Sequence, residues 1–90
     1  MSELAAQVQN YLEIYDPLGM AELAPVSALY LPVVPEVIQK LSAVQTPEAA
    51  AEAVHRVLFL TYGSQAGHPR NYGDLGRDLL KLVHKEMGTG

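Results

Sequence analysis

The chain has 90 residues and a mass of 9.8 kDa, and 49% of its residues are apolar while 18% are charged. This composition excludes an intrinsically disordered chain, and the absence of cysteine excludes disulfides, thiolate metal sites and a cysteine nucleophile. Six basic residues against ten acidic ones give a net charge of −4, which argues against a nucleic-acid partner because such binders carry a basic surface.

No apolar run is long enough to cross a bilayer, so no membrane partner is expected. Glu3 stands where a secretory signal carries lysine or arginine. We therefore expect a cytoplasmic protein. The length predicts one helical domain over residues 1–90.

A first helix is predicted over residues 3–15, because apolar side chains recur there at helical spacing: Leu4, Val8, Tyr11, Leu12 and Tyr15. Asp16 and Pro17 should end this helix, since proline disfavours the helical conformation of the residue before it. Gly19 should complete the turn with a positive φ. Residues 20–32 lack periodicity and predict a connector with short helical turns.

A second helix is predicted to start between Pro32 and Pro35 and to run to about Val44. The third has the clearest start: Thr46 is the expected N-cap and Pro47 the first helical residue. Gly63 should end it. Its expected inner face comprises Ala50, Ala53, Val54, Val57, Leu58 and Thr61. The alanines at 49, 50, 51 and 53 would permit a close approach of another helix.

The stretch from Ser64 to Arg70 predicts a loop, and Asn71 is the expected N-cap of a fourth helix. The apolar stripe of that helix comprises Leu75, Leu79, Leu82 and Val83. Four helical segments with short connections predict an all-α fold, either a small four-helix bundle or a compact irregular helical domain.

Candidate chemical sites are sparse. Glu52 and His55 form one Glu-x-x-His motif, whereas a di-iron bundle needs two, so a surface ion pair or plain solvation is the better interpretation. His55, His68 and His84 have no i, i+4 spacing that would favour zinc. The segment from His68 to Asn71 leads into a helix N-terminus that could hold an anion, although an ordinary capped loop is favoured. No metal, cofactor or catalytic residue is predicted.

Charge and tyrosine content point to contact with a protein. Residues 1–54 carry seven acids and one lysine, a balance of −6, and residues 55–90 a balance of +2. These halves either attract each other within one bundle, which is favoured, or form a two-faced surface for a partner. Tyrosines at segment ends suit an interface. The predicted partner-binding residues are Tyr30, Tyr62, His68, Arg70 and Tyr72.

These observations support three hypotheses. The first is a protein–protein interaction module without enzymatic activity, self-associating as a homodimer or part of a small complex. The second is an acidic inhibitor of a basic protein, of the immunity or antitoxin type. The third is a small-ligand or metal-binding protein that uses Glu52, His55 or the segment from His68 to Asn71.

One segment also resembles a known family. The helix from Tyr11 ends at the aromatic Tyr15, an Asp-Pro-x-Gly turn follows at residues 16–19, and Tyr30 precedes a helix with proline near its start. This order resembles small bacterial helical proteins with a YugE-like domain, over about residues 8–83. The resemblance implies a small all-helical fold and carries over no catalytic residue.

Overall fold

The computed structural model describes residues 3–19 and 29–86. Within these ranges the chain forms helices but no strand, and the helices are α1 (Glu3–Tyr15), α2 (Val34–Ser42), α3 (Pro47–Tyr62) and α4 (Gly73–Glu86). Short 3₁₀ turns span Leu31–Val33, Gly63–Ala66 and Pro69–Tyr72. The predicted all-α fold, a small helical bundle, is confirmed. No helix in the described part has the length and apolar character needed to cross a membrane.

The end of α1 has the predicted turn. Asp16 takes a positive φ of 46°, and its N–H still donates to the Leu12 carbonyl at 2.9 Å. Gly19 has a φ of 66° and donates its N–H to the Asp16 carbonyl at 2.9 Å. Pro17 therefore follows a helix that has already ended, as its sequence position indicated. Residues 20–28, most of the predicted connector, lie outside the described residues.

Both ends of α3 are confirmed as well. The Thr46 hydroxyl accepts a hydrogen bond from the Ala49 N–H at 3.1 Å, and Pro47 is the first helical residue. Gly63 follows the last residue with a φ of 66° and donates its N–H to the Phe59 carbonyl. A positive φ favours glycine there, because a Cβ would strain the backbone.

The predicted cap of α4 is wrong. Asn71 lies inside the 3₁₀ turn Pro69–Tyr72, and α4 begins only at Gly73. The residue that caps this turn is His68, whose Nδ1 accepts from the Arg70 N–H at 3.1 Å. The predicted loop from Ser64 to Arg70 likewise contains 3₁₀ structure, part of it in the turn that begins at Gly63. Asparagine suits a cap in isolation, but Pro69 starts a turn of its own earlier.

α2 ends slightly earlier than predicted, at Ser42 rather than near Val44. The N–H groups of Ala43 and Val44 bond to the Lys40 and Leu41 carbonyls, three residues back, so the helix closes in a tighter turn of the 3₁₀ type. Pro32 and Pro35 occupy the first turns of the 3₁₀ segment and of α2, where no N–H partner is needed.

The core joins side chains from all four helices. It comprises Val8, Leu12, Leu18, Leu29, Tyr30, Val33, Val34, Val37, Leu41, Ala50, Ala51, Val54, Val57, Leu58, Ala66, Tyr72, Leu75, Leu79, Leu80 and Val83. Several predicted inner-face residues lie outside it. Leu4, Tyr11 and Leu82 are partly buried and pack against the core, and Ala53 is half-buried. Thr61 is exposed. Tyr15 is 40% exposed, because it lies at the edge of α1 and donates its hydroxyl to the Asp78 carboxylate at 2.5 Å.

α3 and α4 approach each other closely at Gly76. A Cβ at Gly76 would lie 2.6 Å from the backbone Cα and N of Ala51. Ala50 and Ala51 are buried on the facing side of α3. The small residues on both helices thus create the close approach that the alanine run predicted.

Candidate functional site

Two of the predicted partner-binding residues belong to the core instead. Tyr30 and Tyr72 are both 0% exposed, so their side chains offer no area to a partner. The prediction of an interface role is wrong for both. Both residues are buried because each hydroxyl forms hydrogen bonds with polar groups of a different segment. Their positions at segment ends do not reveal these bonds.

The Tyr30 hydroxyl connects the turn after α1 to the segment that leads into the 3₁₀ turn before α2. It donates to Asp16 Oδ1 at 2.7 Å and accepts the Leu18 N–H at 3.0 Å. Burial, together with the hydrogen bond to Asp16, raises the pKa of Tyr30 above its ordinary value. The residue is thus a structural link that remains protonated.

The Tyr72 hydroxyl donates to the Ala66 carbonyl at 2.6 Å and closes the two consecutive 3₁₀ turns. Burial raises the pKa of Tyr72 to about 12. Tyr62 is half-buried, and its hydroxyl donates to the Leu29 carbonyl. Tyr62 therefore has a structural bond as well as some exposed surface, and its role in partner binding stays a prediction.

The histidines bind backbone groups in three separate places. His55 Nε2 lies 2.8 Å from the Gly67 carbonyl, and His84 Nε2 lies 3.2 Å from the Leu41 carbonyl. Because a carbonyl only accepts, Nε2 is the protonated nitrogen in both rings. His68 instead uses Nδ1 as an acceptor. The residues that the structure describes contain no group of three or more metal-ligating side chains placed to hold an ion.

The structure gives His55 a role that its Glu-x-x-His motif did not predict, since the two interpretations of the motif were a di-iron ligand and a solvated or ion-paired surface residue. Its ring packs edge-on against Tyr72, with centroids 5.3 Å apart, while Nε2 donates to the loop backbone at Gly67. Within the described residues, Glu52 forms no ion pair with it. His55 fixes the turns after α3 to the body of that helix, and Glu52 is exposed to solvent.

A cleft of about 430 Å³ lies between α3 and α4, lined by Pro47, Glu48, Ala51, Glu52, Pro69, Arg70, Gly73 and Arg77. Its two acids balance its two arginines. Arg77 already contacts Asp74 at 3.6 Å and Asp78 at 3.4 Å. Asp74 also occupies the first turn of α4, where it takes the favourable place an anion would use. The predicted anion site before α4 is therefore not favoured. Arg70 and His68 are exposed, and their role in partner binding stays a prediction.

A second depression lies between α2 and α3, and we call it the α2–α3 groove. It has a volume of about 360 Å³ and is lined by Glu36, Lys40, Val44, Ala49, Glu52, Ala53, Arg56, Val57 and Leu60. The five apolar residues are contributed mainly by α3. The four charged residues are all exposed, two on each helix. The groove thus combines an apolar lining with charged edges.

Leu60 is the most exposed large apolar side chain in the described part of the chain, at 73%. Its neighbour Phe59 is 49% exposed, and Leu31, in the 3₁₀ turn before α2, is 42% exposed. Burying an apolar side chain of this size is worth about 1.5–3 kcal/mol. Leu60 therefore offers substantial free energy to a molecule that covers the groove.

The sequence predictions missed this groove. Leu60 lies off the inner stripe of α3, and single exposed leucines are ordinary in proteins. A usable signal was present in the i, i+4 spacing of Glu36 with Lys40, and of Glu52 with Arg56 and Leu60 in turn. Those spacings place acidic, basic and apolar side chains along one edge of each helix. They do not say that α2 and α3 lie side by side, which is what brings the two edges together as a groove.

Comparisons with protein-family models, curated proteins and solved structures found no match to this chain. The resemblance to YugE-like proteins therefore stays a prediction, based on the turn at residues 16–19 and on the helices around it.

Proposed function

We propose that this protein acts by protein–protein contact and that the α2–α3 groove is its contact surface. The observation that carries the proposal is the 73% exposure of Leu60 at a groove with an apolar lining and charged edges. Protein interfaces have this anatomy, with an apolar centre inside a polar rim. A groove between two helices also suits a helix as its ligand, because side-chain ridges pack into such grooves.

The charges of the groove favour this role over inhibition of a basic protein. Glu36 and Glu52 are balanced by Lys40 and Arg56, so the groove has no acidic excess for a basic partner. The proposal assigns no catalytic residue. It places the protein in the cytoplasm, and the absence of cysteine from the chain is compatible with a reducing compartment.

Capture of proteins from a lysate of the source organism tests the proposal. The wild type and two variants, each carrying an affinity tag, serve as the bait. Leu60→Glu places a charge in the groove. Ile14→Glu, at a side chain that is 69% exposed on α1, introduces the same change elsewhere. We expect the wild type and the Ile14→Glu variant to retain a stoichiometric protein, either a different protein or an untagged copy of this chain. The Leu60→Glu variant should lose at least about 90% of it, since a buried charge without a partner is costly.

Mass spectrometry of the captured material gives the readout, and circular dichroism verifies that all three proteins are folded. Equal capture by the Leu60→Glu variant would move the contact surface away from the groove. Capture of no protein by any of the three, at low and at high salt, would contradict function by protein contact.

A further inference from the structure

The cleft between α3 and α4 carries opposite charges that do not neutralise one another. Glu48 and Glu52 lie about one helical turn apart on α3, and Arg70 lies in the 3₁₀ turn before α4. All three side chains are exposed, and in the part of the chain that the structure describes none of them forms an ion pair or a side-chain hydrogen bond. Arg77, the fourth charged residue of the cleft, contacts two aspartates of α4 instead. Two negative charges and one positive charge in the cleft are therefore available to a ligand.

The remaining lining of the cleft is apolar and small. Ala51 is buried there, and Pro47, Pro69 and Gly73 complete the lining. A Cβ at Gly73 would meet nothing within 4 Å, so the cleft is open at this point rather than filled by a neighbouring side chain. The volume of about 430 Å³ lies within the range of small-ligand sites, about 300–1,000 Å³. The cleft thus suits a small molecule with an apolar chain between charged groups.

A basic amino acid has the matching set of charges. Its α-carboxylate can accept hydrogen bonds from the Arg70 guanidinium, whose donors form a planar fork that fits carboxylates. Its two ammonium groups can donate to the carboxylates of Glu48 and Glu52. Its methylene chain can contact the apolar lining. A simple anion would be repelled by both glutamates, and a diamine would leave Arg70 without a partner, so neither matches as many groups.

We infer that this cleft binds a free basic amino acid of the lysine type, with one carboxylate and two ammonium groups joined by a short methylene chain. The site is separate from the protein contact proposed for the α2–α3 groove and does not depend on it. Glu52 lines both depressions, so Glu48 and Arg70 are the charged residues that report on the cleft alone.

Titration of the ¹⁵N-labelled protein with L-lysine at constant ionic strength, followed by nuclear magnetic resonance, tests the inference. We expect saturable shifts of the backbone amide signals of Ala51, Arg70 and Gly73, while the signal of Ile14 stays unchanged. A molecule of about ten non-hydrogen atoms with the ligand efficiency of ordinary small ligands has a dissociation constant of about 1–10 mM.

Two analogues separate the charges of the ligand. Diaminopentane with its amines at the two ends is L-lysine without its carboxylate, and L-norleucine is L-lysine without its side-chain ammonium. Each should bind the wild type about 3-fold more weakly than L-lysine, because each loses one ion pair at an exposed site.

Matched variants assign the groups of the protein. Arg70→Gln should weaken L-lysine binding about 3-fold and remove the advantage of L-lysine over the diamine. Arg56→Gln makes the same change at an exposed arginine outside the cleft, and it should leave the dissociation constant within about 1.5-fold. Glu48→Gln should also weaken L-lysine binding about 3-fold. Gly73→Leu fills the cleft without changing its charge and should weaken binding at least about 10-fold. Circular dichroism verifies that every variant is folded.

The inference is overturned if no saturable shift occurs at the cleft, or if the wild type binds L-lysine and both analogues equally. Equal affinities of Arg70→Gln and Arg56→Gln for L-lysine would overturn it as well. So would a folded Gly73→Leu variant that binds L-lysine as the wild type does, since the site would then lie elsewhere.

Discussion

Tyr30 and Tyr72 show how single polar atoms hold this small core together. Each hydroxyl is buried and bonds to groups of a different segment, the turn after α1 for Tyr30 and the Ala66 carbonyl for Tyr72. Buried polar groups without partners cost free energy, so these bonds fix where the segments lie as well as filling space. No buried side-chain nitrogen or oxygen in the described part lacks a hydrogen-bond partner.

The Tyr72 hydroxyl predicts a loss of stability at alkaline pH. Its pKa is about 12 in the folded chain, against an ordinary value of 10.0. Above pH 10 the unfolded chain releases this proton first, so the free energy of unfolding falls as the pH rises from about 10 to about 12. Below pH 10 the stabilisation is complete.

Replacing Tyr72 by phenylalanine removes this titration. We expect the free energy of unfolding of Tyr72→Phe, measured by urea denaturation, to decline less steeply than that of the wild type between pH 10 and pH 12. At pH 7 the variant should be about 1–2 kcal/mol less stable, since the Ala66 carbonyl loses its donor. Parallel decline of the two proteins at high pH would refute this role of the hydroxyl.

At the residue scale, the sequence predicted helix caps that act on neighbouring residues, but it did not predict hydrogen bonds between segments. Thr46, Pro47 and Gly63 act on backbone groups within four residues of themselves, so the sequence alone predicted them. Tyr30 and Tyr72 were misassigned because their partners are set by the fold. Asn71 was misassigned because the turn that Pro69 starts competes with the helix cap.

At the scale of the elements, the fit of α4 against α3 depends on the missing side chain of Gly76. The absence of a Cβ lets the backbones of the two helices approach at Ala50 and Ala51. The alanine run in α3 predicted a close approach from the sequence, but the sequence left open which element would approach. Which helix packs against the alanine run depends on the register between two helices, and no local sequence pattern encodes that register.

The Gly76 contact predicts opposite effects for two glycine substitutions in α4. Gly76→Ala should lower the free energy of unfolding by about 1–3 kcal/mol, because its Cβ would overlap the Ala51 backbone. Gly73→Ala is the matched control, since a Cβ there meets nothing within 4 Å and the residue is already helical. It should stabilise the chain by up to about 1 kcal/mol, because alanine favours a helix.

Thermal and urea unfolding of the two variants and the wild type test this pair of expectations. A Gly76→Ala variant as stable as Gly73→Ala would show that α3 and α4 are not closely packed at Ala51.

At the scale of the whole molecule, the positions of the charged residues in the fold say more about a contact surface than the net charge of the chain does. The sequence shows an acidic excess in residues 1–54 and a basic excess in residues 55–90, but the groove takes its four charges from residues 36–56, one acid and one base from each of two helices. The all-α fold follows from periodicity and caps. The groove depends instead on which helices become neighbours, and for this reason it emerged only with the structure.

Nuclear magnetic resonance on the ¹⁵N-labelled wild type, without and with the unlabelled protein that the Leu60→Glu comparison identifies, tests most directly whether the α2–α3 groove is the contact surface. We expect the backbone amide signals of Ala49, Ala53, Arg56 and Leu60 to shift when that protein is added, and those of the exposed face of α1, such as Ile14, to stay unchanged. Shifts confined to α1 and α4, or the absence of any shift, would contradict the account.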